Sequence, residues 1–157
     1  MHLSYQHTYA ASPDAVVELL TTPAFLVDVA EHAGATNPQV RIEGDSTYME
    51  MSLEAPKDVA KFVGTTIRVT QRLRWGSADA DGVRRGTVDI TVGGVPVNAS
   101  AAAVLNPTGP DSSVGTYEGE LTVRIPLVGK KVESKVAPSI NDAFDGIERR
   151  AREWLQR

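Results

Sequence analysis

The stretch LVGKKVESKVAPSINDAFDGIERRAREWLQR, Leu127 to Arg157, decides how this chain folds. Apolar residues fall at Val128, Val132, Val136, Ile140, Phe144, Ile147, Ala151 and Leu155, each four or three positions after the last. That spacing puts them on one stripe of an α-helix whose other face is charged. A helix of this span is roughly 45 Å long at about 1.5 Å per residue. A compact chain of the same size has a radius of gyration near ~15 Å. The helix therefore crosses the whole domain, and the body of the protein lies under its stripe. The preceding residues, GTYEGELTVRI from Gly115 to Ile125, alternate with period two, the pattern of a strand with one buried face.

Upstream the chain is mostly strands. Leu3, Tyr5, His7 and Tyr9 alternate with Ser4, Gln6 and Thr8, giving a first strand with one inward face. Ser12-Pro13-Asp14 opens a helix, with Ser12 as cap and Pro13 in the first turn. Thr22-Pro23 ends it, and Pro23 to Ala33 is a second short helix stopped by Gly34. Gln39–Gly44 and Thr47–Ala55 read as strands joined by a tight turn at Asp45-Ser46. Pro56–Gly64 interrupts the pattern with one or two helical turns. Thr65–Trp75 is a long strand with Ile67, Val69, Gln71, Leu73 and Trp75 inward. Val83–Val92 follows, then a Gly93-Gly94 hairpin turn, then Val95–Leu105, and Asn106–Ser113 reads as a loop. Strands joined by tight turns are antiparallel. Their polar outer faces leave one side of the sheet to water, and the last helix covers the other. The fold class is α+β: a curved antiparallel sheet of about seven strands around a long C-terminal helix, with two short helices after the first strand. The whole chain, 1–157, reads as a single domain.

Composition narrows the function. The chain has no Cys, which excludes disulfides, thiolate metal ligands and cysteine nucleophiles. Its net charge of −4 argues against a nucleic-acid partner. No stretch approaches the roughly 18 apolar residues of a membrane span. The N-terminus, MHLSYQHTYA, alternates and does not resemble a signal peptide, so a cytoplasmic protein is expected. From Arg124 onward, eight basic residues stand against five acidic ones. This is either a solvated helix face or a surface for an acidic partner or anionic membrane.

Long antiparallel strands coil, and a straight helix cannot follow a curved sheet along its whole length. The gap between them needs large side chains or a guest. Aromatics make up only 6% of the chain, and the inward positions of the penultimate strand are Ala99, Ala101 and Ala103, with Gly119 on the strand beside it. Alanine is a poor strand former. These small residues either let the helix approach closely or leave a ligand-sized cavity. Pro138, inside the helix, predicts a kink or break around Ser134–Pro138. It either bends the helix around the sheet or acts as a hinge at the Val128–Lys135 end.

The element order, the Pro56–Gly64 segment with the strand ending Leu73-Arg74-Trp75, and the Val123-x-Ile125-Pro126-Leu127-Val128-Gly129-Lys130 junction resemble the START-like, helix-grip superfamily. That superfamily includes lipid-transfer domains, the birch-pollen-allergen family, and polyketide cyclases and aromatases. More narrowly, the chain resembles a bacterial family of unknown function within it. The resemblance implies a tunnel between helix and sheet for an apolar small molecule such as a lipid, sterol or polyketide. The expected lining is Leu53, Ile67, Val69, Gln71, Leu73, Val88, Ile90, Ala99, Ala101 and Tyr117 from the sheet, with Val132, Val136, Ile140 and Phe144 from the helix. His7 and Tyr5 are candidate polar groups in that space. No catalytic set transfers, because the superfamily shares none.

No pattern for a metal site, a nucleophile elbow or a phosphate loop is present, and no cofactor is expected. Glu118 and Glu120 read as outer-face carboxylates. Tyr5, His7, Gln71 and Tyr117 face inward, where polar groups need partners. They are satisfied by neighbours, or they orient a ligand; His7 with Tyr117 could also exchange a proton with a substrate. Three functions stay open: a carrier of an apolar molecule, a cyclase- or aromatase-type enzyme, or an interaction protein with a filled core. The expected partners are an apolar ligand and a transient membrane surface, with the chain a monomer or a homodimer.

Overall fold

The first strand closes against the last. In a computed structural model describing residues 1–157, seven strands form one antiparallel sheet in the order β1-β7-β6-β5-β4-β3-β2. The strands are β1 (His2–Tyr9), β2 (Thr36–Glu43), β3 (Ser46–Glu54), β4 (Thr66–Trp75), β5 (Arg84–Val92), β6 (Val97–Gly109) and β7 (Ser112–Val123). The helices are α1 (Pro13–Leu20), α2 (Pro23–His32), the short α3 (Ala60–Val63) and the long α4 (Gly129–Leu155). This is the α+β helix-grip architecture.

Local chemistry sets the boundaries. Ser12 Oγ accepts a hydrogen bond from the Ala15 amide at 3.3 Å, and Pro13 occupies the first turn of α1. Beyond α2, Gly34 adopts φ +84°, which a residue with a side chain rarely does. The β1 alternation holds: Leu3, His7 and Tyr9 are buried, Tyr5 is half-buried, and His2, Ser4, Gln6 and Thr8 are exposed.

Several boundaries differ from the sequence reading: β2 begins at Thr36 and not Gln39, β7 ends at Val123 and not Ile125, and α4 begins at Gly129 and not Leu127. The β2–β3 turn is Gly44-Asp45, since Ser46 already pairs with Glu43. Strand β6 starts at Val97, because Val95-Pro96 extend the Gly93-Gly94 turn. Asn106–Ser113 is mostly a hairpin in which β6 and β7 continue to pair. Pro107 lies past the last β5–β6 pair, Arg84 with Leu105, at a free edge where a missing amide donor is tolerated.

Helix α4 passes through Pro138 without a break. Pro138 is exposed, so water can satisfy the carbonyl that loses its partner. Every stripe residue from Val128 to Leu155 is buried or half-buried.

Packing is uneven along α4. The main core gathers Val16, Val17, Leu20, Phe25, Leu26 and Ala30 from α1 and α2 with Tyr9, Leu73, Trp75, Leu105, Tyr117 and Ala151. A latch reinforces this end. The Asp28 carboxylate accepts from Arg150 Nε at 2.7 Å and Trp154 Nε1 at 2.9 Å, and the Phe25 and Trp154 rings meet edge-on at 5.6 Å. Burial pushes the Asp28 pKa up, but the Arg150 and Trp154 hydrogen bonds outweigh it and hold the carboxyl below its ordinary value. At the other end a small second cluster, Val59, Val123 and Val132, ties α4 to β7 and the α3 region.

Candidate functional site

Period two in β1 delivers Tyr5, His7 and Tyr9 to the inner face, and β1–β7 pairing sets Tyr117 directly opposite Tyr5. The stripe of α4 brings Phe144 over them. Tyr5 and Phe144 stack with ring centroids 4.1 Å apart and 9° between planes, and the Tyr5 hydroxyl donates to Asn141 Oδ1 at 2.7 Å. The His7 ring lies 5.0 Å from the Tyr117 ring and 6.1 Å from that of Phe144.

A polar chain runs through this aromatic cluster. His7 Nδ1 is 2.8 Å from Tyr9 Oη, which is 2.7 Å from Tyr117 Oη. All three residues are buried, His7 to 3% exposure. His7 Nε2 is buried and completes no hydrogen bond of good geometry, although the Phe144 carbonyl lies near the ring. If Nδ1 accepts from Tyr9, Nε2 is an unused donor; if Nδ1 donates, Nε2 is an unused acceptor. Burial lowers the His7 pKa against the pull of Glu148, Asp145 and the Phe144 carbonyl, which keeps the ring neutral near pH 7. Burial also raises both tyrosines. Tyr117 is pushed up to about 12 despite the Tyr9 hydrogen bond, and the Tyr9 hydroxyl also rises, with the nearby Tyr117 adding to the effect. The centre is thus a neutral His–Tyr–Tyr chain with one open valence.

The residues expected to line a cavity divide by burial. Val69, Leu73, Val88, Tyr117, Val132 and His7 are buried. Leu53, Ile67, Gln71, Ile90, Ala99, Ala101, Val136, Ile140, Phe144 and Tyr5 are half-buried. The half-buried set has a structural cause. The backbone of α4 approaches β7, β1 and α2 closely, and β3 to β6 at isolated points at most. Ile67, Val92, Ala99, Ala101 and Ile140 pack against neither hydrophobic cluster. The inner face of β3 to β6 is therefore an apolar wall only partly withdrawn from water.

Two clefts lie elsewhere. One, of about 280 Å³, is lined by Thr8, Tyr9, Ala10, Arg152, Leu155 and Gln156 at the C-terminal end of α4. The other, of about 360 Å³, is a shallow groove on the outer face of β5 to β7, lined by Thr87, Asp89, Ser100, Ala102, Glu118 and Glu120, with Ala101 and Gly119. Of the expected lining residues, Ala101 alone borders either cleft. Glu118 and Glu120 are exposed as expected, and His2 bridges them at 2.8 and 3.2 Å. No group of three or more His, Asp or Glu side chains is placed to hold a metal ion.

Tyr9 is the site residue the sequence reading leaves out. Its alternation places it on the inner face, but its role as the bridge between His7 and Tyr117 depends on a cross-strand contact. Asn141 is also missed, because it lies beside the apolar stripe and not on it.

A family model described as "Protein of unknown function (DUF2505)" matches residues 4–155. No curated protein matches the chain in sequence. Among solved structures, a protein from Thermus thermophilus is similar at 16% identity, covering 96% of this chain and 97% of that one, with a TM-score of 0.65. The Zhui aromatase/cyclase from Streptomyces sp. R1128 is similar at 14% identity, with 96% and 90% coverage and a TM-score of 0.61. Norcoclaurine synthase from Thalictrum flavum, in complex with dopamine and hydroxybenzaldehyde, is similar at 20% identity, with 95% and 84% coverage and a TM-score of 0.57. These likenesses show a shared fold.

Proposed function

The chain belongs to the DUF2505 family of proteins of unknown function, and we propose that it binds an apolar small molecule between α4 and the sheet. One observation carries this reading: the inner face of β3 to β6 is largely apolar, yet Ile67, Ala99 and Ala101 are only half-buried and pack against neither hydrophobic cluster. Leaving such a wall wet forgoes about 25 cal/mol per Å² of apolar surface, and a guest recovers it. Val136, Ile140 and Phe144 form the opposing wall. His7 Nε2 is the polar anchor, so the preferred ligand has an apolar body and one neutral hydroxyl or carbonyl. Norcoclaurine synthase, similar in fold, is a protein that holds small aromatic molecules, dopamine and hydroxybenzaldehyde.

The test is direct. Organic extracts of protein purified from its native host are examined by mass spectrometry, and the stripped protein is titrated with fluorescent fatty-acid and sterol probes. Uptake is expected, and Ala99→Trp, which fills the wall, weakens it by roughly 10-fold or more, the worth of a few buried methylenes. Absence of both an extractable molecule and probe uptake sinks the proposal.

A second reading is favoured by the His7–Tyr9–Tyr117 chain itself. A buried, neutral imidazole joined to two hydroxyls can relay a proton to a substrate held at Nε2, as a cyclase-type reaction requires. Conversion of a bound polyketide-like substrate that stops in His7→Phe would favour it over simple carriage.

A further inference from the structure

We propose that the end of the molecule formed by Ile125–Lys131 and the neighbouring Pro56–Gly64 segment docks on an anionic lipid surface, with Leu127 as the inserted residue. Three local features there work against stability. Leu127 adopts φ +69°, a left-handed conformation that disfavours any residue with a side chain. It is also fully exposed, at 105%, so no packing compensates. The other exposed large hydrophobic residue, Ile42, sits on a strand and is only half as exposed, at 53%. Finally, α4 begins with no side-chain cap and no acidic residue in its first turn, where Lys130 and Lys131 put positive charge at the positive end of the helix dipole. Breaches of local rules that converge on one spot mark function.

The three features also agree in chemistry. An apolar tip is followed at once by two exposed lysines. The small cluster of Val59, Val123 and Val132, with Phe62, Val63 and Val128 packed on it, brings the Pro56–Gly64 segment to the same end. That segment adds the exposed Lys57 and Lys61. The acids nearby are mostly engaged: Asp58 pairs with Lys135 at 3.4 Å, and Glu133 accepts from the chain's amino group at 2.8 Å, while Glu54 is exposed at the end of β3. A chain of net charge −4 thus carries an excess of positive charge around its most exposed hydrophobic residue. A protein partner would need a contiguous apolar patch or groove at the centre of the contact. A protruding leucine with exposed lysines at the same end of the molecule suits the headgroup boundary of an anionic bilayer. This surface stands whether or not the wall under α4 takes a ligand.

Co-sedimentation of the full chain with phosphatidylcholine vesicles, with and without phosphatidylglycerol, tests it. Binding is expected only to the vesicles containing phosphatidylglycerol and should weaken with added salt. Leu127→Asp lowers binding by roughly 10-fold or more, the worth of one buried leucine side chain. Lys130→Glu with Lys131→Glu lowers it by about 5-fold per charge removed, or more. Ile42→Asp leaves it unchanged. Leu127→Gly weakens binding while the thermal midpoint holds or rises, which a purely structural role for Leu127 would not produce. Failure of the wild type to bind anionic vesicles overturns the proposal, as does unchanged binding by Leu127→Asp or an equal loss in Ile42→Asp. Loss on the lysine changes alone also overturns it, since that is charge attraction without insertion.

Discussion

Replacing His7 with Phe separates the structural cost of the buried centre from its use. In the wild type, Nε2 is buried without a partner, and an unsatisfied buried polar atom costs about 1–3 kcal/mol. The substitution removes that cost. It also removes the Nδ1–Tyr9 hydrogen bond, worth about 1 kcal/mol net. The Tyr9 hydroxyl keeps its bond to Tyr117 at 2.7 Å, but one of the two hydroxyl hydrogens is then left without an acceptor, which offsets part of the gain. The balance is a gain of at most about 1 kcal/mol, or a rise in Tm of no more than about 2–4 °C for a domain of this size. Tyr9→Phe should act oppositely. It strips partners from both His7 Nδ1 and the Tyr117 hydroxyl, and should cost about 2–3 kcal/mol.

The pH dependence provides a second readout of the same substitution. The folded His7 titrates below its ordinary value because burial opposes its charge. Below about pH 6.5 the unfolded chain takes up the proton first, so stability rises with pH through this window and falls on acidification. His7→Phe removes this component, and its advantage over the wild type should grow between about pH 7 and pH 5. Urea denaturation at both pH values measures the effect. A loss of more than ~1 kcal/mol in His7→Phe, or a gap independent of pH, would refute the reasoning and mean that Nε2 has a partner in solution. The stabilised variant should also lose affinity for any ligand carrying a single polar group, as expected where function and stability compete.

Other substitutions probe the frame. A Cβ at position 119 would collide with the Ser100 carbonyl and with Ala101, so Gly119→Ala forces β6 to shift and should cost about 1–3 kcal/mol in chemical denaturation. Asp28→Asn weakens the latch to Arg150 and should cost about 1–2 kcal/mol at neutral pH. Because the folded Asp28 pKa is depressed, that stability is present above the unfolded value and lost as pH falls through the folded one, so the gap to the wild type should close in acid. Phe144→Ala removes the Tyr5 stack and the cover over His7; it should cost about 2 kcal/mol, and an NMR titration should find the His7 pKa moved back toward its ordinary value.

What can be read from the sequence is whatever is local and periodic. The three-four spacing of the α4 stripe and the alternation of Leu3, Tyr5, His7 and Tyr9 identify both the lid and the inward groups, because each pattern is set by backbone geometry alone. The His7–Tyr9–Tyr117 chain is not legible, since it joins residues more than a hundred positions apart and depends on rotamers. The end of the β6–β7 hairpin reads as a loop because it is polar and holds Pro107, and composition cannot reveal a free edge. Leu127 reads as the first residue of the helix. It lies outside, because Gly129, where a Cβ would strike the Val123 carbonyl, anchors the first turn against the end of β7. The small residues of β6 are visible in sequence, but the distance between α4 and the sheet is not, because it depends on how far the sheet coils.

The uneven packing explains how an apolar wall stays partly open without loosening the fold. At its C-terminal half α4 is fixed by Ala151, Ile147, Trp154 and Leu155 on the main core and by the Asp28 latch. At its N-terminal half the fully buried contact is Val132, in a cluster of three. Parting α4 from β7 at that end uncovers Val59, Val123 and Val132, whereas parting it at the other end would uncover most of the core. If a ligand enters under α4, the weaker end is where opening costs least. It is also the end that carries Leu127, Lys130 and Lys131. If that surface rests on a bilayer, the least costly opening of the grip faces hydrocarbon, and an apolar ligand can pass between membrane and wall without crossing water.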